Sequence, residues 1–206
     1  MCNYIDNKIP QDLLEETYNI TYDLEEQDIS TAEFVNGFAH SKMPIISDAV
    51  ADEFVIGQLG ISAPWIKSYD KKPLLPLNAR LDTIHTKPTF KNNIENRCVV
   101  PVNAFYEWKW LDEKGKSKEK NRIRIEGDPI FSLGCIYYID KNGVLTFAIC
   151  TTEANELMAE IHNTKHRMPI CLPIGKEKDW LNSANALEDF AFPNFDPKLE
   201  AEVVAK

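Results

Sequence analysis

Two turn sequences in the second half of the chain place the strongest restriction on its fold. Gly127-Asp128-Pro129 and Asp140-Lys141-Asn142-Gly143 combine residue types that favour tight turns. They separate three strand-like segments, near 121–126, 130–139 and 144–151. Because strands joined by such short turns run antiparallel, this part of the chain is predicted to form an antiparallel meander.

Periodicity, cap residues and turn residues predict the other elements. A chain of 206 residues is long enough to bury one core. We expect a β-dominated α+β domain over residues 2–183, in which antiparallel strands form a curved sheet or pseudo-barrel with a few peripheral helices. The tail, 184–206, is expected to pack on the domain or to be partly disordered. The predicted helices span 11–19, 153–162 (capped by Thr152) and 175–183, the extended segments span 54–60, 76–80, 97–110 and 168–173, and 83–93 forms a short helix or turn.

Composition argues against several functional classes. No apolar run approaches the roughly 20 residues of a membrane span, and the amino terminus lacks the basic-then-apolar pattern of a signal peptide. The five cysteines contain no CxxC pair, which fits a reducing cytoplasm better than a disulfide framework or a zinc ribbon. We therefore expect a cytoplasmic monomer that uses no membrane, metal or cofactor.

The distribution of charge modifies what the net charge implies. A net charge of −9 argues against a protein that coats nucleic acid over its whole surface. Residues 61–124, however, contain 14 Lys and Arg against 7 Asp and Glu, which is compatible with a narrow basic groove. We interpret the lysines around Gly115 as a solvated turn: Lys114, Lys116, Lys118 and Lys120. The groove candidates are Arg80, Lys87, Lys91, Arg97 and Lys109.

Cys2 occupies a chemically special position. Removal of Met1 would leave an α-amine and a thiol on adjacent carbons, with reference pKa values near 7.7–8.0 and 8.5. The amine can form a Schiff base with an aldehyde, and the thiol can then close a five-membered thiazolidine ring. The same terminus would suit acyl transfer. The alternative is a cysteine that merely follows the start codon.

Asn78 and Arg80 form a second candidate pair in the segment PLNARLDT, residues 76–83. Residues two apart on an extended segment point to the same side. Asn78 can therefore bind a sugar or carbonyl oxygen while Arg80 binds a phosphate. The alternative is local backbone hydrogen bonding by the Asn and a surface ion pair by the Arg.

Glu107 is the candidate in the third segment, RCVVPVNAFYEW, residues 97–108. Alternation puts it on the face opposite Tyr106 and Trp108, and that aromatic face is predicted to lie in the core. A partly desolvated Glu107 would have a raised pKa and could transfer protons near neutral pH. The alternative is that Glu107 belongs to the solvated face of an amphipathic strand.

The fourth segment, TTEANELMAEIHNTKHRMP at residues 151–169, contains two histidines. His162 lies seven residues after Asn155, on one side of the predicted helix and next to its buried stripe, where it can act as an acid or base. A structural histidine is the usual alternative. His162 and His166 have the spacing of a zinc-binding pair, but the HExxH order and a third ligand are missing, so we predict no metal site.

Taken in order, these segments resemble the SOS response-associated peptidase (SRAP) family of abasic-site-processing proteins. The resemblance covers residues 2 to about 173 and implies a covalent thiazolidine crosslink between Cys2 and an abasic site in single-stranded DNA. It further implies a β-elimination lyase side activity and autoproteolytic exposure of Cys2. By the same resemblance Glu107 manages protons, Asn78 orients Cys2 and the sugar, Arg80 holds phosphate, and His162 assists proton transfer at the opened sugar.

The sequence also departs from the family pattern. Asn3 and Tyr4 replace the usual Gly-Arg after the cysteine, and Leu59 stands where a stacking Trp is usual, although Trp65 remains nearby. His162 precedes Arg167 by five residues instead of the usual short spacing, so His166 stays an alternative. The DNA-binding residues implied are Arg80, Trp65 and Arg167.

Two other functions follow from the same residues. An N-terminal-nucleophile peptidase or amidohydrolase would use Cys2 on small amides. A DNA-binding module without chemistry would explain the missing aromatic at Leu59 and the altered residues after Cys2.

Overall fold

Strands make up most of the regular structure, as expected for a chain with so many short β-like segments between turns. The computed structural model describes residues 2–25, 29–66 and 75–204, and the backbone of 68–69 and 72–73. In chain order the described strands are β1 (Tyr4–Asp6), β2 (Val35–Asn36), β3 (Lys42–Ser47), β4 (Val55–Leu59), β5 (Ser68–Tyr69), β6 (Lys72–Pro73), β7 (Asn78–Arg80), β8 (Arg97–Val102), β9 (Ala104–Trp110), β10 (Lys118–Ile125), β11 (Phe131–Ile139), β12 (Leu145–Glu153), β13 (Arg167–Pro169), β14 (Cys171–Leu172) and β15 (Leu199–Val203).

Helices are short and lie around the sheets. The described helices are α1 (Gln11–Tyr18), α2 (Leu81–Ile84), α3 (Glu156–Ile161) and α4 (Glu177–Leu181), with 3-10 turns at Gly37–Ala39 and Leu187–Phe190. Within the described ranges, none of them is long and apolar enough to cross a membrane.

The strands form two main sheets. In the larger sheet the order is β13-β12-β4-β3-β8-β11-β14, and β12 also pairs with β11 and with β7. Because β12 pairs with both β4 and β11, the strands β12, β4, β3, β8 and β11 close into a ring. The smaller sheet has the order β15-β10-β9-β1-β2. The predicted β-dominated α+β fold with a pseudo-barrel is therefore confirmed.

Only the second half of the meander predicted from the two turn sequences is present. β10 joins the smaller sheet, where it pairs with β9 and β15, whereas β11 lies in the larger sheet. β11 and β12 pair antiparallel, with Cys135 opposite Ile149. The predicted helix at 11–19 and the predicted strand at 54–60 are present as α1 and β4. The local signals were sufficient here because apolar periodicity and turn residues agree with the tertiary packing.

Asn103 divides the segment predicted as one extended stretch, 97–110. β8 before it belongs to the larger sheet and β9 after it to the smaller one. The Asn103 side chain donates hydrogen bonds to the Asp6 carboxylate at 3.1 Å and to the Lys8 carbonyl at 3.0 Å. These bonds fix the bend at which the chain passes from one sheet to the other.

The predicted start of the helix at 153–162 is wrong. β12 continues through Glu153, so Thr152 is a strand residue that pairs with Met168. Asn155 caps α3 instead, because its Oδ1 accepts a hydrogen bond from the Met158 N–H at 3.0 Å. The sheet pairing of Thr152 outweighs its local preference for a cap.

The C-terminal segment joins both the core and the smaller sheet. Leu187 and Phe190 are buried, and β15 pairs along β10 from Leu199 to Val203. Arg97, a candidate for a basic groove, is buried beside this segment and donates to three carbonyl oxygens of residues 180, 182 and 185. It therefore holds the segment in place and is not part of a groove.

Candidate active site

Strand β12 brings together residues that are far apart in sequence. It pairs in parallel with β7, which places Asn78 beside Ile149 and Arg80 beside Thr151. On its other side it pairs with β13, which places Arg167 opposite Glu153. Two of the predicted segments, 76–83 and 151–169, therefore meet at one end of the larger sheet.

A second set of contacts joins β9 to the end of α3. The Lys109 ammonium lies 2.5 Å from the Glu160 carboxylate. Asn163 accepts from the Trp110 N–H at 3.1 Å and donates to the Trp110 carbonyl at 2.9 Å. Because Glu107 is two residues before Lys109 on the same strand face, these contacts hold it at the end of α3 that carries His162.

Cys2 is fully buried in the core between the sheets. Burial raises the pKa of its thiol well above the usual range, and the charge of Glu107 raises it further. The thiol is therefore neutral at pH 7 in this environment. The influence of Glu107 on this pKa places the carboxyl group near the thiol.

Glu107 is 6% exposed. Its side chain is therefore desolvated, and the alternative that it belongs to a solvated strand face is wrong. Burial raises the pKa of its carboxyl group, against the positive amino terminus and the Trp108 N–H, which lower it. The aromatic face of β9 lies in the core only in its first half. Ala104 and Tyr106 are buried, whereas Trp108 and Trp110 are partly buried on the outside of the smaller sheet. The inner face of this sheet packs on the core, and Phe105 and Glu107 lie on that face.

His162 ends α3 and is 6% exposed. Burial lowers its pKa to about 4, helped by the positive amino terminus. Its Nδ1 lies 2.9 Å from the Arg167 carbonyl oxygen. The Arg167 backbone nitrogen also lies 3.2 Å from this Nδ1. Because its pKa is about 4, His162 is a neutral base at pH 7.

Asn3, which sequence reasoning did not select as a site residue, holds Asn78. The Asn78 Nδ2 donates to the Asn3 Oδ1 at 2.9 Å, and the Asn78 Oδ1 is buried with no hydrogen-bond partner among the described residues. The Asn3 carbonyl accepts from the Gly37 N–H at 2.8 Å. A Cβ at Gly37 would lie 2.9 Å from that oxygen, so glycine permits this close approach. The arrangement leaves one buried acceptor available next to Cys2.

Arg80 and Arg167 share one carboxylate. Arg80 donates to both oxygens of Asp82, at 3.2 and 2.5 Å, and Arg167 lies 3.2 Å from the same carboxylate. Arg80 is exposed, whereas Arg167 is 5% exposed and donates to the Thr151 carbonyl at 2.7 Å. Arg80 therefore forms the surface ion pair that the sequence offers as the alternative to phosphate binding, while Arg167 supports the strand and the shared Asp82.

The other predicted residues make different contacts. Trp65 packs edge-on against Tyr138, with ring centroids 5.2 Å apart. His166 is exposed and bonds the Ala159 carbonyl at 3.2 Å. Of the two histidines, only His162 is buried, and burial is what lowers the pKa of a histidine base. All five cysteines are free and buried, and the described part of the chain contains no group of three or more His, Cys, Asp or Glu arranged to hold a metal.

Known proteins are similar to this chain in sequence and in fold. The family described as "SOS response associated peptidase (SRAP)" matches residues 1–206. Two proteins of Bacillus subtilis (strain 168), the abasic site processing proteins YoqW and YoaM, are each 35% identical over 153 residues, or 72% of this chain. The match spans 66% and 65% of their own lengths, just under two thirds. A crystal structure of a protein from Bacteroides thetaiotaomicron has a TM-score of 0.82 at 30% identity, covering 99% of this chain and 92% of that chain.

Proposed function

This chain belongs to the SOS response associated peptidase family, and from that premise we propose that it processes abasic sites in single-stranded DNA through a covalent bond to Cys2. Relatives named abasic site processing proteins support the substrate class. The residue chemistry supports the bond, because Cys2 without Met1 offers an amine and a thiol on adjacent carbons.

The reaction has two bond-forming steps. The α-amine of Cys2 adds to the aldehyde carbon of the ring-opened abasic sugar, and loss of one water gives a Schiff base. The thiol sulfur then adds to the imine carbon, and the thiol proton ends on the nitrogen. The product is a thiazolidine and one water, with no oxidant or reductant needed.

Glu107 and His162 divide the proton transfers. Glu107 in its acid form donates to the oxygen that leaves as water, and neutral His162 accepts a proton as the sugar ring opens. Asn78 presents its buried Oδ1 to the amine or a sugar hydroxyl, and Arg80 binds the adjacent phosphate.

One observation carries this proposal: Glu107 and His162 are each 6% exposed, and burial favours the neutral acid at Glu107 and the neutral base at His162. A surface carboxylate and a surface histidine would have ordinary pKa values. Two groups whose pKa values are moved in opposite directions at one site are typical of an acid–base pair.

An adduct assay with an abasic oligonucleotide tests the proposal. Wild-type protein should give an adduct that survives denaturation, whereas Cys2→Ala, which keeps the amine, should give one only after borohydride reduction of the Schiff base. Cys150→Ala is the matched control. Cys150 is as buried as Cys2 but belongs to a different cluster of hydrophobic residues. A stable adduct with Cys2→Ala at the wild-type yield would refute the thiazolidine.

Intact mass provides an independent check. The fraction of protein that lacks Met1 should equal the fraction that can form the adduct. Protein that retains Met1 has no α-amine on Cys2 and should not react.

Hydrolysis of a peptide or amide by the same cysteine is the alternative, favoured by the family's description as a peptidase. The Cys2 thiol would then attack a carbonyl and form an acyl-enzyme. A burst of acyl-enzyme with an amide substrate, together with no adduct on abasic DNA, would select this alternative. A β-elimination side activity would instead appear as strand cleavage at the abasic site.

A further inference from the structure

The outer face of the smaller sheet carries two adjacent rows of side chains. Trp110 on β9 stands opposite Lys118 on β10, and Trp108 stands opposite Lys120. The Lys118 Nζ lies 5.0 Å from the centroid of the Trp110 ring. An aromatic row and a cationic row therefore run side by side along the same pair of strands.

Tyr4 and Phe34 widen the aromatic row. Tyr4 stacks on Phe34 at 4.9 Å between centroids, with 16° between the ring planes, and meets Trp108 edge-on at 4.8 Å. The Lys120 Nζ lies 3.9 Å from the Phe34 centroid. Phe34 is 41% exposed despite these contacts. We call the surface formed by the following residues the aromatic–lysine platform: Tyr4, Phe34, Trp108, Trp110, Lys118 and Lys120.

The positive charge on this platform is not neutralised by neighbouring carboxylates. Among the described residues, no carboxylate oxygen lies within 4.0 Å of the Nζ of Lys118 or Lys120. Farther along β10 the situation differs, because Arg122 pairs with Asp6 and Glu202. The excess charge is therefore concentrated near the turn that joins β9 to β10.

That turn is held in a defined shape. The Asp112 carboxylate accepts hydrogen bonds from the backbone N–H groups of Lys114 at 2.9 Å and Lys116 at 3.2 Å. Gly115 adopts a φ of +62° directly under the Trp110 ring. Three of the four lysines expected to form only a solvated turn, Lys116, Lys118 and Lys120, thus line an open groove of about 430 Å³ together with Trp108.

We propose that the aromatic–lysine platform binds the single strand of DNA that flanks the lesion. Exposed rings can stack on unpaired bases, and lysines can bind the intervening phosphates, which is the combination that single-stranded DNA requires. Duplex DNA hides its bases from such a surface. This inference rests on the proposed function for its biological setting, but binding to undamaged DNA can be measured without it.

The platform and the candidate active site share two strands. Trp108 follows Glu107 directly, and Tyr4 is two residues after Cys2. Because neighbouring residues of a strand point to opposite faces, β9 presents Glu107 to the interior and Trp108 to the DNA. The platform therefore lies on the opposite face of β9 from Glu107, one residue along the strand from it.

The test measures binding of an undamaged thymidine oligonucleotide to Cys2→Ala protein by anisotropy at several salt concentrations. Adding Lys118→Gln and Lys120→Gln should lower the slope of log affinity against log salt by about 1.4, since each single-strand phosphate contact contributes about 0.7. The matched control is Lys141→Gln with Lys178→Gln, which removes two exposed lysines elsewhere on the surface. An unchanged slope in the platform variant would overturn the proposal.

Phe34→Leu tests stacking separately from charge. It keeps an apolar cover on the sheet but removes the ring, and should weaken binding about fivefold or more at every salt concentration. The same oligonucleotide in duplex form should bind the parent protein more weakly and lose no affinity on Phe34→Leu. If Phe34→Leu binds the single strand as tightly as its parent, the platform attracts any polyanion and the inference is wrong.

Oligonucleotide length connects the platform to the reaction. Wild-type protein should form the adduct at lower DNA concentrations when the abasic site lies in a 21-mer than in a 5-mer, and the two lysine substitutions should remove this advantage. If the wild type and the double lysine variant depend equally on oligonucleotide length, the platform does not hold the DNA during the reaction. If no adduct forms at all but the salt and stacking results hold, the proposed reaction fails and the platform stands.

Discussion

The two faces of β9 differ in a way that hydrophobicity alone does not predict. The inner face holds Phe105, which is fully buried, and Glu107, which is 6% exposed. The outer face holds Tyr106, which is buried, and Trp108 and Trp110, which are partly buried beside lysines. A carboxyl group is thus more buried than two tryptophans of the same strand. Packing alone would favour the reverse.

Removing the carboxyl group from the inner face should have the largest effect. Glu107→Gln keeps the shape but cannot transfer a proton, so crosslinking should slow by roughly 10²- to 10⁴-fold while DNA affinity is retained. The measurement is a single-turnover time course with an abasic oligonucleotide. Glu119→Gln is the control, because Glu119 lies on the neighbouring strand opposite Lys109. A wild-type rate for Glu107→Gln would show that this carboxyl group transfers no proton.

Removing one aromatic ring from the inner face of the smaller sheet and one from its outer face should show how much each ring contributes to stability. Phe105→Ala removes a fully buried ring and should lower the free energy of unfolding by about 3–5 kcal/mol. Phe34→Ala, on the exposed side, should cost about 1 kcal/mol or less and should chiefly weaken DNA binding. Urea unfolding measures both. Equal losses would mean that the outer rings are core residues after all.

The buried histidine near the inner face should make stability depend on pH. The folded pKa of His162 is lowered to about 4, while an unfolded histidine titrates near 6.5. Between those values the unfolded chain binds the proton first, so stability falls as pH falls from 6.5 to 4, by at most about 3 kcal/mol.

His162→Gln should remove this part of the pH dependence, and His166→Gln, at the exposed histidine, should leave it in place. Unfolding curves recorded at pH 4.5, 5.5 and 7 provide the comparison. If His166→Gln removes it instead, the two histidines have been assigned the wrong way round.

The smallest of the four effects concerns how Asn78 is held beside the inner face. Asn3→Leu removes the acceptor for the Asn78 amide and should slow crosslinking about tenfold, the equivalent of one hydrogen bond. Asn3→Asp keeps an acceptor oxygen and should restore most of the rate, with little change in DNA affinity. Similar slow rates for both variants would show that residue 3 acts only through packing.

Local signals predicted much of the scaffold. The turn residues at 140–143 and the periodicity of 11–19 were sufficient, because local preference and tertiary packing agree there. The turn at 127–129 was predicted to join paired strands, but β10 lies in the smaller sheet and β11 in the larger one. Thr152 and the stretch around Asn103 were predicted incorrectly. At both places the pairing of a strand with distant partners outweighed the local preference.

The site divides in the same way. Cys2, Asn78, Glu107 and His162 were selected from residue chemistry and from resemblance to the family. In the structure Cys2, Glu107 and His162 are buried, and Asn78 is hydrogen-bonded to Asn3. Asn3, the sharing of Asp82 by two arginines, and the contact between Lys109 and Glu160 were not predicted. These interactions join residues that are separated along the chain or that have no distinguishing pattern.

The sequence by itself determined which chemical groups are available: an amine and a thiol at residue 2, a carboxyl group, an imidazole and a basic middle region. Only the tertiary structure decided which of them are buried, which face of β9 meets solvent, and which lysines lie over aromatic rings. The physical reason is that alternation along a strand separates two faces without saying which one packs on the core. That choice, and with it the pKa of each group, depends on partners contributed by the rest of the chain.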